Sequence, residues 1–304
     1  MVSNSSKVVK TVKIKKPHNR KFELLDVFLI TILTAWGLII FIPFLNSVVI
    51  SFSSYEAYLS NRFMLFPIDV DLSAYKQLLE DARIAIGYRT TLIFVFVGVP
   101  INLFMTSTIA YGLSRRGYPG RKLIFFAVLF TMLFNGGIVP TYLLMMALGL
   151  RDTIMGVILV TCMNSFYMIL MYNYFNSIPE SLIESAMLDG SSEWGMLFRI
   201  IIPLSKPIFA TIILFSAVDR WNEWFSSMIY TRSSNIQPLQ LALRSIVIDS
   251  VIREDVGNLL SERTIHTMGI KMAAVMITMI PIMCVFPFLQ KHFAKGIMMG
   301  AIKA

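Results

Sequence analysis

The chain has 304 residues, of which 56% are hydrophobic and only 15% are charged. Soluble domains carry about 25% charged residues, so this composition excludes a soluble globular protein and indicates several membrane-crossing helices. The apolar runs are continuous rather than alternating, which excludes a transmembrane β-barrel.

Six apolar stretches are each long enough to cross about 30 Å of hydrocarbon. They cover 27–52, 90–113, 123–147, 153–175, 205–230 and 267–290. The sequence therefore predicts an all-α integral membrane protein with six transmembrane helices over 27–304, preceded by a basic tail over 1–26. The longest connection on the side of that tail is 177–204, between spans four and five.

The distribution of Lys and Arg predicts the orientation of the chain. The net charge of +9 is concentrated in the N-terminal tail, in the acid-free connection 114–122 and in the C-terminal tail. With six spans, these segments and 177–204 lie on one side, which the positive-inside rule makes cytoplasmic. Segments 53–89 and 231–266 are then external. We interpret the basic excess as a topology signal and not as a nucleic-acid-binding surface.

The third span is interrupted by Asn135, Gly136, Gly137 and Pro140. Such a break in helical hydrogen bonding is tolerated at membrane depth only beside protein or water. It favours a bent helix that lines a pore; close helix packing through small residues is the alternative.

The connection 177–204 has the pattern of two short helices. Ser177 and Glu180 fit a capping box, which predicts a helix over 178–189. Gly190 occupies a position that favours a left-handed residue. Ser191 or Ser192 can begin a second helix, which Pro203 ends. The predicted apolar faces consist of Ile178, Leu182, Ala186 and Met187 in the first helix and Trp194, Leu197, Phe198 and Ile201 in the second.

The spacing in this connection resembles the EAA signature of bacterial ABC importer permeases. The matching residues are Glu184, Ala186, Gly190, Ile200 and Pro203, while Ser185 and Ile202 depart from the signature conservatively. Residues 134–153, 220–225 and 271–304 are similar to carbohydrate permeases of the LplC/YtcP type, relatives of the six-span maltose permease.

The resemblance implies a type I ABC importer permease in a bacterial cell membrane, with cytoplasmic termini. In that family the hairpin inserts into a groove on a cytoplasmic ATPase, so Glu184, Ala186, Gly190, Ile200 and Pro203 become coupling residues. The chain would form half of an oligosaccharide pathway. Its partners would be a second, homologous permease in a heterodimer, two ATPase subunits and an external sugar-binding protein.

No GxxxxGK[ST] motif occurs in the chain, which indicates that it does not bind ATP itself. By the resemblance, ATP and Mg²⁺ are used by the partner ATPases, and this chain is not an enzyme. We expect no catalytic residue, bound cofactor or metal site.

Charged residues at membrane depth are costly and usually face a cavity or a partner. In the fifth span, Asp219 and Glu223 are one turn apart and can share Arg220 or a partner from outside the chain. A sugar pathway and an internal network that fixes helix packing both fit this pattern. The residues that we consider for the pathway are Asn135, Tyr142, Asn164, Tyr167, Trp221, Asn222, Glu223 and Trp224.

A self-contained channel or secondary carrier is the alternative function, with 177–204 as an amphipathic hairpin on the membrane surface. A requirement for a separate ATPase distinguishes the two. An embedded enzyme is disfavoured because the chain has neither HExxH nor GxSxG.

Overall fold

The computed structural model describes residues 24–260 and 267–301. The basic tail up to residue 23 and the part of the predicted external segment over 261–266 lie outside the described residues. In the described part the regular structure is helical, apart from one isolated β-bridge between Ser53 and Val70.

The α-helices, in chain order, are α1 Leu24–Ser51, α2 Tyr55–Ser60, α3 Ser73–Glu80, α4 Ala82–Ile93, α5 Val99–Ser114, α6 Arg121–Leu133, α7 Ile138–Ala147, α8 Ile154–Val160, α9 Ser165–Asn176, α10 Glu180–Leu188, α11 Glu193–Met196, α12 Ile202–Leu204, α13 Lys206–Trp221, α14 Phe225–Tyr230, α15 Leu239–Leu260 and α16 Thr267–Ala301. Two π-helical turns, Phe94–Gly98 and Leu197–Ile201, join α4 to α5 and α11 to α12. A 3₁₀ turn spans Ser234–Ile236.

Three continuous helical segments within the described residues are long and apolar enough to cross a membrane: Leu24–Ser51, Ala82–Ser114 and Thr267–Val285. Three pairs of helices pass the same test only together, because each pair is bent. They are α6 with α7 (115°), α8 with α9 (56°), and Glu193–Leu204 with α13 (85°). The described residues thus offer three spans, or up to six if each bent pair counts as one. The break in the third span was predicted. The break in the fourth span, the bend at Ser205 and a second break in the fifth span at 222–224, between α13 and α14, were not.

Each π turn lies just before a proline. Pro100 and Pro203 follow the two turns by two residues. Proline lacks an N–H and its ring clashes with the carbonyl four residues earlier in an α-helix, whereas a wider π turn relieves that contact. The prediction that Pro203 ends the second helix of the hairpin was therefore wrong. The helix passes through Pro203 to Leu204 and bends at Ser205.

Two hydrophobic cores lie at opposite ends of the long helix Ala82–Ser114. One core joins α5, α9, α13 and the segment 186–201, and the other joins α3, α4, α15 and α16. Arg83 pairs with Asp249 at 2.7 Å near the start of this helix, while Arg115, just after its end, pairs with Glu193 at 3.4 Å. A helix of this length spans about 50 Å. The predicted external segments therefore meet at one end, and 114–122 meets the hairpin at the other.

Candidate coupling and translocation sites

The first helix of the hairpin begins later than predicted. Its N-cap is Pro179, and the Ser177 hydroxyl donates to the carbonyl of Tyr174 at 2.7 Å. The capping-box prediction was wrong because Ser177 still belongs to the end of α9. Glu180 does not take part in a capping box and instead pairs with Arg116 at 2.5 Å.

The turn between the two helices has the predicted conformation. Gly190 has φ +79°, the left-handed region, and an added Cβ there would meet nothing within 4 Å. The glycine is therefore required by the backbone conformation and not by crowding. The Ser192 hydroxyl accepts from the amide of Gly195 at 3.1 Å and caps α11, which confirms one of the two predicted caps.

Ala186 faces the membrane domain of its own chain. It is 6% exposed and packs in the core that contains Met196, Leu197 and Ile201. Its small side chain therefore allows the hairpin to lie close against α5 and α9. The predicted first stripe was partly wrong because the buried face of α10 carries Ile183 and Ala186, whereas Leu182 and Met187 remain 47% exposed.

The opposite face of α10 is exposed. Glu184 and Gly190 are exposed, and Leu188 is 89% exposed. Of the other predicted coupling residues, Pro203 is exposed and Ile200 is half-buried against the core. The predicted coupling residues thus divide between a face that packs against the rest of the chain and a face that is exposed.

Glu193 joins the hairpin to the end of α5. Its carboxylate accepts from the Tyr111 hydroxyl at 2.5 Å and pairs with Arg115 at 3.4 Å. The sequence pattern did not reveal this contact, because Arg115 served there only as a topology signal. The hairpin is consequently bound to α5 by both apolar and charged contacts.

Three of the predicted pathway residues accept hydrogen bonds from backbone amides at the breaks. Asn135 accepts from the amide of Gly137 at 2.8 Å, between α6 and α7. Asn164 accepts from the amides of Phe166 and Tyr167 at the start of α9. Glu223 accepts from the amides of Ser226 and Ser227 at 2.8 and 3.2 Å, at the break between α13 and α14 in the fifth span. These acceptors replace the backbone bonds that each break removes.

In the described part of the chain Arg220 forms no hydrogen bond or ion pair with the two neighbouring carboxylates, so of the two possibilities the sharing of Arg220 is not observed. It is 3% exposed and donates to the hydroxyl of Thr161 and to the carbonyls of Thr161 (2.7 Å) and Ile158 (3.4 Å). These carbonyls end α8, where unpaired oxygens attract a cation. An added Cβ at Gly98 would lie 3.0 Å from Nε of Arg220, so that glycine leaves room for the guanidinium.

Asp219 binds Tyr167 instead of Arg220. The Tyr167 hydroxyl donates to its carboxylate at 2.6 Å, and Tyr167 is only 7% exposed. Together with the Arg220 contacts, this bond fastens α13 to both sides of the break in the fourth span. These contacts fit the internal network that the sequence left open, while a pathway role for Tyr167 stays a prediction.

The aromatic candidates have different environments. Trp221 donates from Nε1 to the carbonyl of Thr278 at 3.2 Å and packs between helices. Tyr142 stacks on Tyr230 with ring centroids 6.4 Å apart. Trp224 lies under the guanidinium of Arg244, at 4.3 Å from the ring centroid.

Asn222 completes the placement of the candidates. It is exposed, and its side-chain oxygen accepts from Gln240 at 3.3 Å. Asn222, Glu223 and Trp224 thus lie together at one break, whereas Asn135 and Asn164 lie at two others.

Asp152 forms a contact on the predicted external side that the sequence pattern did not reveal. Its carboxylate accepts from the amides of Arg232 (2.7 Å) and Ser233 (2.8 Å) and from the Ser233 hydroxyl (2.6 Å). The bonds from the Ser233 hydroxyl, the Ser233 amide and the Arg232 amide lower the pKa of Asp152 to about 2. This contact joins the α7–α8 connection to the segment after α14.

Comparison with known proteins identifies a family and similar relatives. The family described as "Binding-protein-dependent transport system inner membrane component" matches residues 88–299. The polygalacturonan/rhamnogalacturonan transport system permease protein YtcP of Bacillus subtilis is 40% identical over 93% of this chain and 99% of its own length. Protein LplC of the same organism is 41% identical over 94% of this chain and 97% of its own length.

A solved structure is similar to this chain in both fold and sequence. A chain in the crystal structure of a bacterial ABC transporter involved in the import of the acidic polysaccharide alginate superposes with a TM-score of 0.82 and 34% identity. The match covers 90% of this chain and 99% of that one. The expected type I importer permease fold is confirmed, and this chain belongs to the family of inner membrane components of binding-protein-dependent transport systems.

Proposed function

We propose that this permease forms half of the translocation pathway of an oligosaccharide importer. A second, homologous permease completes the pathway, two cytoplasmic ATPase subunits drive it, and an external sugar-binding protein delivers the cargo. The printed functions of YtcP and of the alginate transporter support a saccharide as cargo. The family description supports dependence on a binding protein and disfavours a self-contained channel or carrier.

The hairpin is the observation that carries this proposal. Its inner face is fixed to the chain through Ala186 and Glu193, while Leu182, Glu184 and Leu188 remain exposed at the end of the molecule that bears 114–122. An exposed apolar helix face with a few charged residues suits insertion into a groove of a partner. The open face therefore receives the ATPase, and the fixed face carries its movement into the membrane domain.

The route of that movement follows the contacts of the hairpin. Closure of the ATPase dimer displaces α10, and the shared core passes this displacement to α5, α9 and α13. The breaks beside Asn164 and Glu223 lie on the same helices or on their direct continuations. Helices that are already broken and capped can change their bend without exposing further backbone groups, so these breaks serve as hinges for opening the pathway.

The chemistry of ATP belongs to the partners in this proposal. The permease holds no nucleotide, ATP and Mg²⁺ act in the ATPase subunits, and this chain is not an enzyme. Its termini and the hairpin lie in the cytoplasm of a bacterial cell, as the positive-inside rule indicates. Segments 53–89 and 231–266 face the sugar-binding protein.

The experiment compares ATPase recovery with a Gly190→Asp permease and with the wild type. The left-handed φ of +79° at Gly190 is unfavourable for a side chain, so the substitution distorts the turn of the hairpin. We expect the variant to insert in the membrane but to lose co-purification of the ATPase and ATP-dependent oligosaccharide uptake. Normal ATPase recovery together with normal uptake would refute docking through this hairpin.

Two further variants separate docking from general strain. Gly149→Asp places the same side chain at another left-handed glycine, φ +65°, beyond α7 and away from the hairpin, and should retain the ATPase. Leu188→Asp changes a side chain that is 89% exposed without altering backbone conformation, and should lose the ATPase as Gly190→Asp does.

A further inference from the structure

Four side chains meet where the fifth span is broken on the external side of α13. We call Asn222, Trp224, Gln240 and Arg244 the outer cluster. Gln240 and Arg244 are one turn apart on α15 and so share a helix face. Gln240 donates to Asn222 at 3.3 Å, and the Arg244 guanidinium lies 4.3 Å from the ring centroid of Trp224.

Stacking on Trp224 orients Arg244 without using its hydrogen bonds. A guanidinium over an aromatic face is held by cation–π attraction, while its N–H donors lie in its own plane. Arg244 is exposed, so those donors are accessible from outside the protein. The tryptophan is thus a platform for the cation, and one of its faces is already occupied.

The outer cluster holds a positive charge without a paired carboxylate among the residues whose side chains the structure describes. The nearest acid along α15, Asp249, pairs with Arg83 at 2.7 Å. One carboxylate oxygen of Glu223, beside Trp224, accepts from the amides of Ser226 and Ser227, and Glu223 forms no ion pair with Arg244. The charge of Arg244 is therefore available to an anion from outside the chain.

We propose that the outer cluster binds an acidic sugar unit, with Arg244 holding its carboxylate and Asn222 and Gln240 binding adjacent hydroxyl groups. This inference rests on the proposed function and narrows its cargo to oligosaccharides that contain uronate. A planar carboxylate matches the two parallel N–H donors of a guanidinium. The Asn222 amide also donates to the carbonyl of Val218 at 3.0 Å, so the pair offers sugar hydroxyls its remaining amide hydrogens, the second lone pair of the Asn222 oxygen and the oxygen of Gln240. Arg244 is thus a specificity residue at the outer end of the pathway.

The experiment measures ATP-dependent uptake by the complete importer in proteoliposomes with two probes, trigalacturonate and its fully methyl-esterified form. The ester keeps the sugar rings and removes the charge. We expect Arg244→Gln to lower trigalacturonate uptake about tenfold, since a hydrogen bond to a charged group is lost, and to leave ester uptake nearly unchanged. Arg244→Lys keeps the charge without the planar pair of donors and should give an intermediate loss.

The control is Lys122→Gln, which removes an exposed positive charge outside the segments that face the sugar-binding protein. It should change the uptake of neither probe. Binding-protein-stimulated ATP hydrolysis is measured for each variant and should equal that of the wild type, which shows that folding and assembly are intact.

Three outcomes would overturn the inference. Equal uptake of trigalacturonate by the wild type and Arg244→Gln would show that Arg244 holds no carboxylate. Equal loss of both probes, with loss of stimulated ATP hydrolysis, would assign Arg244 to an acidic side chain of the binding protein. A loss seen only in vesicles containing anionic lipid would assign it to a lipid phosphate.

Failure of the inference is distinguishable from failure of the proposed function. If the wild-type importer takes up the ester or a neutral oligosaccharide with ATP but does not transport trigalacturonate, the importer assignment stands and the acidic-sugar assignment is wrong. If no ATP-dependent oligosaccharide uptake requires this chain, the proposed function itself is wrong.

Discussion

Polar side chains within the membrane domain serve first to complete the hydrogen bonds of broken helices. Asn135, Asn164 and Glu223 accept from backbone amides at the breaks, and Arg220 donates to carbonyls at the end of α8. An unpaired backbone group in hydrocarbon costs several kcal/mol. Residues that the sequence marks as candidate ligands are therefore also the residues that make the breaks possible.

Local chemistry explains which single residues could be predicted. Gly190 and Ser192 act on neighbours within four positions, so their left-handed turn and helix cap follow from the sequence. Arg220 acts on Thr161, which is 59 positions away along the chain. The sequence shows the cost of burying Arg220 but not the partner that reduces it, because that partner is defined only by helix packing.

At the residue scale, we predict a pH-dependent contribution of Asp152 to stability. Its pKa is lowered to about 2 from an ordinary value of 3.8. A lowered folded-state pKa stabilises the fold above the unfolded value, and this contribution is lost as the pH falls through the folded value. Asp152→Asn should therefore lower the thermal unfolding midpoint between pH 5 and 8 by a constant amount. The difference from wild type should disappear as the pH falls from about 4 to about 2.

Asp69→Asn is the matched control for this measurement. Asp69 has a similar left-handed backbone, φ +54° against +59° for Asp152, and lies in the predicted external segment 53–89. Its carboxylate forms no hydrogen bond within the described part of the chain, so its substitution should leave the midpoint unchanged. A midpoint difference for Asp152→Asn that persists unchanged below pH 3 would show that its charge is not the cause.

At the level of elements, the hairpin is a rigid extension of the membrane domain and not a loose loop. Ala186 and Leu197 are buried in the same core as Met168 and Ile212, and Glu193 is bound to Tyr111. The alternative considered from sequence was a hairpin lying on the lipid surface. Such a hairpin needs no contacts with α5 in the second span. Its two helices were predictable from their glycine turn, while their attachment to α5 depends on tertiary contacts.

In the apolar spans too, the helices could be predicted from the sequence, whereas most of their breaks could not. Long apolar runs predict helices of sufficient length, and Asn135 with its two glycines predicts the break in the third span. The breaks near Asn164 and Asn222 have no comparable signal, because a single asparagine is compatible with a continuous helix. The π turns before Pro100 and Pro203 also show that a proline need not end a helix when the turn before it widens.

For the attachment of the hairpin to α5, we predict that Tyr111→Phe uncouples transport from ATP hydrolysis. The substitution removes the hydroxyl that donates to Glu193 at 2.5 Å and keeps the ring in the core. A hydrogen bond to a charged group contributes about 1.5–3 kcal/mol. We expect the ATPase to co-purify and hydrolyse ATP as with the wild type, while uptake per ATP falls about tenfold.

Tyr118→Phe supplies the comparison, since Tyr118 is 51% exposed in the neighbouring connection 114–122. Its uptake per ATP should equal that of the wild type. Glu193→Gln should resemble Tyr111→Phe, because it weakens the same bond from the other side. Unchanged uptake per ATP in both Tyr111→Phe and Glu193→Gln would remove this bond from the coupling route.

At the scale of the whole molecule, one side of the chain exposes a broken helix that nothing in the described part of the chain covers. Helix α6 has no buried residue, and residues 134–137 between α6 and α7 are all exposed. Lipid cannot satisfy the backbone groups of an irregular segment, which at membrane depth is found only against protein or beside a water-filled cavity. Helix α1 is also widely exposed, but it is continuous, so lipid can cover it. The surface around 134–137 is therefore the side on which we expect the second permease.

We predict that a photo-crosslinker at Phe134→Cys, in a chain whose two natural cysteines are replaced, will attach to the second permease. Phe134 is 61% exposed, and its substitution leaves the bond from the Gly137 amide to Asn135 intact. Leu33→Cys is the control, because Leu33 is 69% exposed on the continuous helix α1 and should give adducts with lipid. The crosslinked products are separated by mass in membranes that contain both permeases. Lipid adducts from both positions would show that the break is not covered by protein, and the second permease would then have to bind another face.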